Sequence, residues 1–464
     1  MSTSTASPPH PLPGWLKNTL LATGILALCW GAAIAYWRVA EIAPGTGELA
    51  LVLLGTPLIL LLAFWAGKKR VLGRSAAAAA AAAGSAQAQQ AAPAAPPLLP
   101  LAILAAALRV PHGDSPEELA NAIAGNGARP DLDPELVDDD GFPVTSARSE
   151  AAVDEALQAE VREWLILNGM ADLHLGDAHW RALTLGTAVA RELANEAMLA
   201  LSSEARPVQL RLLPLLPAGW TVEQRHAVGL WFKHTMAQFG WPPEHLARVD
   251  VARDAALALV LNTHDAQAAT LVLACDSNID QETVDAWSSN GTLHGATRSQ
   301  GRIPGEGAAG LLVASLDMAS KIDGALFAQL YAVSDTRREV SLDSARRPET
   351  RRMAELAERA AQAARMALPD VTAVLADTDH RSSRTLELMS LVSSALPELD
   401  ATADVLCSGV ALGTCGAVPV IAALALARHA VLAKKTPVLF VSNDDPFTCC
   451  MALVGPPPAP VQPA

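Results

Sequence analysis

Six cysteines, at positions 29, 275, 407, 415, 449 and 450, are the side chains of this sequence best suited to nucleophilic chemistry. No two are spaced as CxxC, and no Cys/His cluster has zinc-ligand spacing, so no metal site is expected. Cys415 opens the apolar, helix-forming run 417–434. A helix start there would favour a thiolate through the macrodipole and the free N–H groups. No general base is visible beside it. Cys275 follows an apolar, strand-like run, and Cys449 and Cys450 are adjacent, which suits neither a metal pair nor an easy disulfide. Buried small thiols in a reducing compartment are the plainer reading of all six. His380 follows the strand-like run 371–376 and reads as a surface or capping histidine. No Gly-rich phosphate loop, Ser–His–Asp phrase or metal motif appears, and no cofactor is expected.

The elements that must position these residues centre on the stretch 270–316. Its apolar run 271–274 leads into a polar turn at 276–278 and a helical stretch around 281–287. The glycine-punctuated turn 301–307 then precedes a second apolar run, 308–314. Short, wholly apolar runs bounded by turn signals suit strands buried on both faces. Gly305 and Gly307 flank Glu306, which predicts a close approach of backbone to backbone.

The length of 464 residues suits a two-lobed body plus extras. Acidic residues outnumber basic ones 48 to 34, giving a net charge of −14, and no basic run sits in the body. That argues against a nucleic-acid partner. Near the N-terminus, residues 18–37 and 49–67 contain no charged side chain. Each is long enough to span a bilayer as a helix, with Trp15, Tyr36, Trp37 and Trp65 at the ends. Lys17 precedes the first span, Arg38 alone lies in the loop, and Lys68, Lys69, Arg70 and Arg74 follow the second. The positive-inside rule predicts a helical hairpin with both ends in the cytoplasm. An Ala/Pro-rich tract with eight consecutive alanines follows and reads as a tether.

The body alternates strand-like and helical stretches. Strands are expected at 101–108, 208–213, 371–376 and 438–442, and helices at 151–168, 182–201, 222–239, 344–367 and 417–434. Asp114-Ser115-Pro116-Glu117 reads as a helix start with Ser115 as cap. Residues 131–140 read as an acidic loop, and 249–261 as a further element. The alternation predicts an α/β fold with parallel, buried strands. No internal repeat is visible.

The phrase GRIPGEGAAGLLV, from Gly301 to Val313, resembles the middle of a β-ketoacyl synthase, a thiolase-like enzyme. Residues 101–126 resemble the opening strand and helix of that family, and 405–432 with 438–454 its last helix and closing hairpin. The resemblance implies a layered thiolase-like α/β fold preceded by two transmembrane helices, and it implies pairing into a homodimer. Its chemistry requires a nucleophilic cysteine at a helix start and two histidines. The nearest match to the cysteine phrase is Val249-Asp250-Val251-Ala252-Arg253, with Arg253 at the nucleophile position. Asp377 occupies the first histidine position and Thr414 the second. The closing loop, glycine-rich in synthases, here carries Asp444 and Asp445. The resemblance therefore implies a degenerate, non-catalytic site. As acids on the rim of the former cleft, Asp444 and Asp445 are candidate partner contacts.

A membrane-tethered body of this kind resembles the lipase adaptors of bacterial type VI secretion. Its carriers are the two spans and the phrases ACDSNID, GRIPGEGAAGLL and NDDPFTCCMAL. The resemblance implies a lipase effector and a type VI spike protein as partners, at the inner membrane, with the body in the cytoplasm. The expected organisation is a membrane hairpin (1–75), a linker (76–98), two thiolase-like halves (99–320 and 321–456) and a Pro-rich tail (457–464). Two other readings stand beside it. One is a membrane-anchored condensing-type acyltransferase using a nonstandard cysteine. The other is a membrane-anchored scaffold unrelated to secretion.

Overall fold

The computed structural model describes residues 100–201, 208–248, 267–344 and 350–457. They lie in the second of two units, which begins at Pro97. The expected hairpin and linker, Arg253 and the tail from residue 458 lie outside the described residues. No helix among the described residues is long and apolar enough to cross a membrane.

The first half opens with β1 (Leu101–Arg109) and helix α1 (Pro116–Ala124). Ser115 caps α1 by accepting from the Glu118 N–H at 3.2 Å, as its position before proline predicts. A separate hairpin, β2 (Asp131–Val137) and β3 (Pro143–Ser146), occupies the acidic stretch expected to be a loop. Strand propensity is poor there. The strand forms because Asp133 is buried and accepts from Ser146, Arg148 and two backbone N–H groups. Helices α2 (Glu155–Leu167) and α3 (Asp177–Leu201) follow. Asp154 caps α2, so Val153 falls outside the helix and is exposed, while Leu157, Val161 and Leu165 are buried as their spacing predicts. Next come β4 (Gln209–Leu215), α4 (Val222–Gln238), β5 (Leu246–Arg248), β6 (Ala268–Ser277), α5 (Gln281–Ser289), β7 (Glu306–Ser315) and α6 (Leu316–Lys321).

The second half contains β8 (Ala328–Leu330), β9 (Ser334–Arg337), α7 (Thr350–Ala364), β10 (Val374–Ala376) and α8 (Ser382–Ala395). It continues with β11 (Val405–Cys407), α9 (Ser408–Leu412), α10 (Val418–Lys434), β12 (Val438–Ser442) and β13 (Thr448–Gly455). Residues 371–373 precede β10 rather than belonging to it.

The main sheet runs β11-β10-β12-β13-β8-β1-β7-β6-β4-β5, with β9 paired to β13. The expectation of a parallel sheet holds only for β4–β5, β4–β6, β10–β11 and β10–β12. β6–β7, β1–β7 and β12–β13 are antiparallel. Strands in mixed sheets can be buried on both faces, so wholly apolar runs do not fix strand direction.

The topology contains a repeat. From the outer edge inward, one half reads β5-β4-β6-β7-β1 and the other β11-β10-β12-β13-β8. Leaving aside β9, each is the third, second, fourth, fifth and first main-sheet strand of its half, and corresponding neighbours share the same pairing sense. The fourth strand of each half ends on a serine followed by asparagine: Ser277-Asn278 and Ser442-Asn443. Three apolar slabs fill the layers. α3 and α4 pack outside the first half, α7 and α8 outside the second, and α10 lies between them against β1, β7, β10 and β12. Ile103 and Leu108 of β1 face the middle slab, and Ala102 and Ala107 the outer one. α10 is apolar almost all round because sheets bury it on both sides.

Candidate functional site

The two halves meet where the loop before β7 crosses the loop before α10. Thr414 N–H donates to Ile303 O at 2.8 Å, and Asn278 Nδ2 donates to Thr414 O at 2.7 Å. A Cβ added at Gly305 would lie 1.9 Å from Leu412 O, so the close backbone approach expected there is real. Gly307 differs: its tightest neighbours are the side chains of Val110 and Val418. Thr414 is thus fixed by its backbone in the seam between the halves.

Buried acids line this junction. Glu306 is fully buried and accepts from Arg181 Nε at 2.7 Å, Arg181 Nη2 at 2.5 Å, Ser149 N–H at 2.6 Å and Ser277 Oγ at 2.9 Å. Asp276 is buried beside Gly416, and burial raises it to about 7. Its hydrogen bonds from Ser277 and Asn278 offset part of that rise.

Cys415 sits among these groups. Burial, then the charges of Asp276, Glu306 and Asp444, push its thiol well above the ordinary value. Its Sγ points at the carbonyls of Leu412 and Gly413, 3.7 and 3.9 Å away. A nucleophilic thiol needs cationic neighbours, and these are anionic. Cys275 is likewise buried and shifted upward, and burial lifts Cys407 to about 12. The thiolate stabilisation expected from a helix start at Cys415 is not realised: the residue lies before the N-cap Ala417, and burial, then the surrounding acids, push its thiol up.

Asp377 follows β10 and is held as a carboxylate would be. It accepts from Ser442 Oγ at 2.5 Å, Asn443 N–H at 2.9 Å and Asp444 N–H at 3.2 Å. Burial pushes it upward while these donors restrain it. Its role is to bind the turn after β12 to the end of β10. Asn443, fully buried, accepts from Thr378 Oγ1 and donates to Arg384 O and Glu387 Oε2. Arg338 Nη2 donates to Glu387 at 2.6 Å, and Arg384 pairs with Asp343. Asp444 pairs with Arg381 at 2.7 Å, and Asp445 Oδ1 caps the β12–β13 turn by accepting from Phe447 and Thr448 N–H groups. The closing loop is therefore locked by side-chain pairs where glycines would leave it free.

His380 does not reach the Asp377 position. Its Nε2 is buried without a partner, its ring lies edge-on to His294 at 5.0 Å, and burial lowers its pKa. Among the described residues, no group of three or more His, Cys, Asp or Glu could hold a metal ion. The sequence reading missed Asp276, Glu306, Arg338, Arg384 and Glu387. The available signal was a charge embedded in an apolar phrase, as with Glu306 between two glycines.

No family profile matches the chain, and no curated protein matches its sequence. Solved structures do. The ishigamide ketosynthase/chain length factor aligns over 77% of this chain and 99% of its own, with TM-score 0.50 and 15% identity. The oxazolomycin ketosynthase domain of Streptomyces albus JA3453 aligns over 79% and 75%, with TM-score 0.53 and 14% identity. The ketosynthase from module 6 of the Bacillus subtilis 168 bacillaene synthase gives TM-score 0.53 at 12% identity, over 77% and 72%. The body has the ketosynthase, thiolase-like, fold. At such identities the likeness is one of fold.

Proposed function

We propose that this chain is a non-catalytic adaptor that binds a lipase effector and helps to load it onto a type VI secretion spike. The N-terminal hairpin would hold it at the inner membrane with the body in the cytoplasm. The observation that carries the non-catalytic part is the state of the junction. Where a synthase needs an imidazole there is Asp377, a buried acceptor already committed to the β12 turn. The thiol of the junction, Cys415, is buried among acids, with no base beside it. The missing imidazole and the base-less thiol support the non-catalytic reading. The adaptor role rests on the family resemblance, and a silent junction supports it by leaving the fold free to serve as a binding body.

The test has two arms. Purified chain is given a malonyl thioester, and carbon dioxide release is expected to match a protein-free control. Release abolished by Cys415→Ala would restore the acyltransferase reading. The lipase encoded beside this gene is then co-expressed with the chain and captured through a tag on either partner. Failure of capture at low salt with both proteins folded would leave the bare scaffold reading. Asp444 and Asp445, read from the sequence as partner contacts, hold the closing loop within the chain, so a partner reaching them must compete with Arg381 and the turn.

A further inference from the structure

The β2–β3 hairpin stands off the main sheet. Its inner residues Leu136 and Val144 pack with Ile279, Val284 and Leu293. Outside, Leu132 (65%), Phe142 (66%) and Val137 (37%) are exposed, and Val153 (59%) flanks them. A groove of ≈ 540 Å³ opens beside the hairpin, where Leu136, Leu175, Trp180 and Ile279 alternate with Arg148, Arg162 and Arg181 and with carboxylates. The Arg162 guanidinium lies 4.6 Å over the Trp180 ring at its wall. A mixed lining with a fixed aromatic ring and a guanidinium suits the insertion of one large side chain.

The free edge of β2 is closed to strand addition. Leu132 N–H donates to Asp131, and Glu135 and Leu136 N–H groups donate to Asp133. Position 134 is proline, and Gln281 takes both the N–H and the carbonyl of Val137. An edge blunted in this way leaves side-chain contact as the way to bind.

Charge narrows the occupant. Asp131, Glu135, Asp138, Asp139 and Asp140 surround the exposed apolar groups, and α5 adds Glu282 and Asp285. Of the groove's arginines, Arg148 pairs with Glu135 and the buried Asp133, Arg181 with the buried Glu306, and Arg162 lies over Trp180. A second copy of this chain would bring the same acids face to face across a two-fold axis, with a net charge of −14 on each copy. An anionic membrane surface is repelled for the same reason.

We propose that the β2–β3 hairpin and its groove form the face that receives the effector, through an apolar side chain flanked by Lys or Arg. This rests on the adaptor reading. The experiment uses the full chain in detergent and the lipase encoded beside its gene. Leu132→Ser with Phe142→Ser removes exposed side chains only, so the urea midpoint should not move. Affinity for the lipase should fall about tenfold, as for central apolar contacts elsewhere. Val340→Ser with Phe447→Ser, on an exposed site in the second half, should leave affinity unchanged. Raising salt should slow association by wild type, as acidic steering requires. Wild-type affinity in the hairpin variant overturns the proposal while leaving the adaptor reading intact. No capture by wild type overturns the adaptor reading and the proposal together. Self-association of wild type that the hairpin variant abolishes would give the face to a second copy, and also overturns the proposal.

Discussion

Replacing Asp276 by asparagine should stabilise this protein more at pH 8 than at pH 5. Asp276 is 7% exposed, and burial lifts it from 3.8 to about 7. A raised carboxyl is protonated in the folded state over a range where the unfolded chain has already released its proton. Stability from that protonated form is fully present below about pH 4 and is lost as pH rises through about 7. The shift of about 3 units corresponds to roughly 4 kcal/mol between the two ends of that window. Asparagine keeps the size and cannot ionise, so the variant should lack this loss. Urea denaturation of wild type and Asp276→Asn at pH 5 and pH 8 measures it, and other titrating groups cancel in the double difference. The expected gain at pH 8 relative to pH 5 is about 2–3 kcal/mol, because part of the loss has already occurred by pH 5. An equal wild-type-to-variant difference at both pH values would refute the reasoning, because Asp276 would then not titrate between them.

Gly305→Ala should destabilise by ~3 kcal/mol or more, read as a lost or greatly lowered urea midpoint, because its Cβ would meet Leu412 O at 1.9 Å and backbone cannot swing aside. Arg181→Met should cost about 3–5 kcal/mol by leaving Glu306 charged and buried. Adding Glu306→Gln to that variant should recover part of the loss, and no recovery would show that the ion pair is not the reason. A reporter active only in the periplasm, fused after Arg74, should stay silent, and a strong signal would reverse the expected membrane topology.

Much of the body was readable before its structure. Ser115 before a proline marks the start of α1, and Leu157, Val161 and Leu165 mark the buried face of α2, because both signals act within one or two turns. The junction was read by position only. Asp377 and Thr414 could be assigned to a failed site, but not to their actual work. Asp377 is bound by donors 65 to 67 residues away, and Thr414 by Asn278 at a separation of 136. The hairpin at 131–146 was missed because its strand is held by a buried Asp–Arg pair rather than by propensity.

The sequence by itself determined which segments are buried, where several helices begin, and that backbone must meet backbone at Gly305. Tertiary structure alone decided the antiparallel pairing, the repeated strand order and the environment of Cys415. Its place just before a helix-forming run suggests a stabilised thiolate, but in the fold its Sγ faces carbonyls, and burial with three acids from distant segments pushes the thiol up. Local pattern reports how deeply a residue is buried. The groups it is buried against come from chain remote in sequence, and for a charge or a thiol those neighbours set the chemistry.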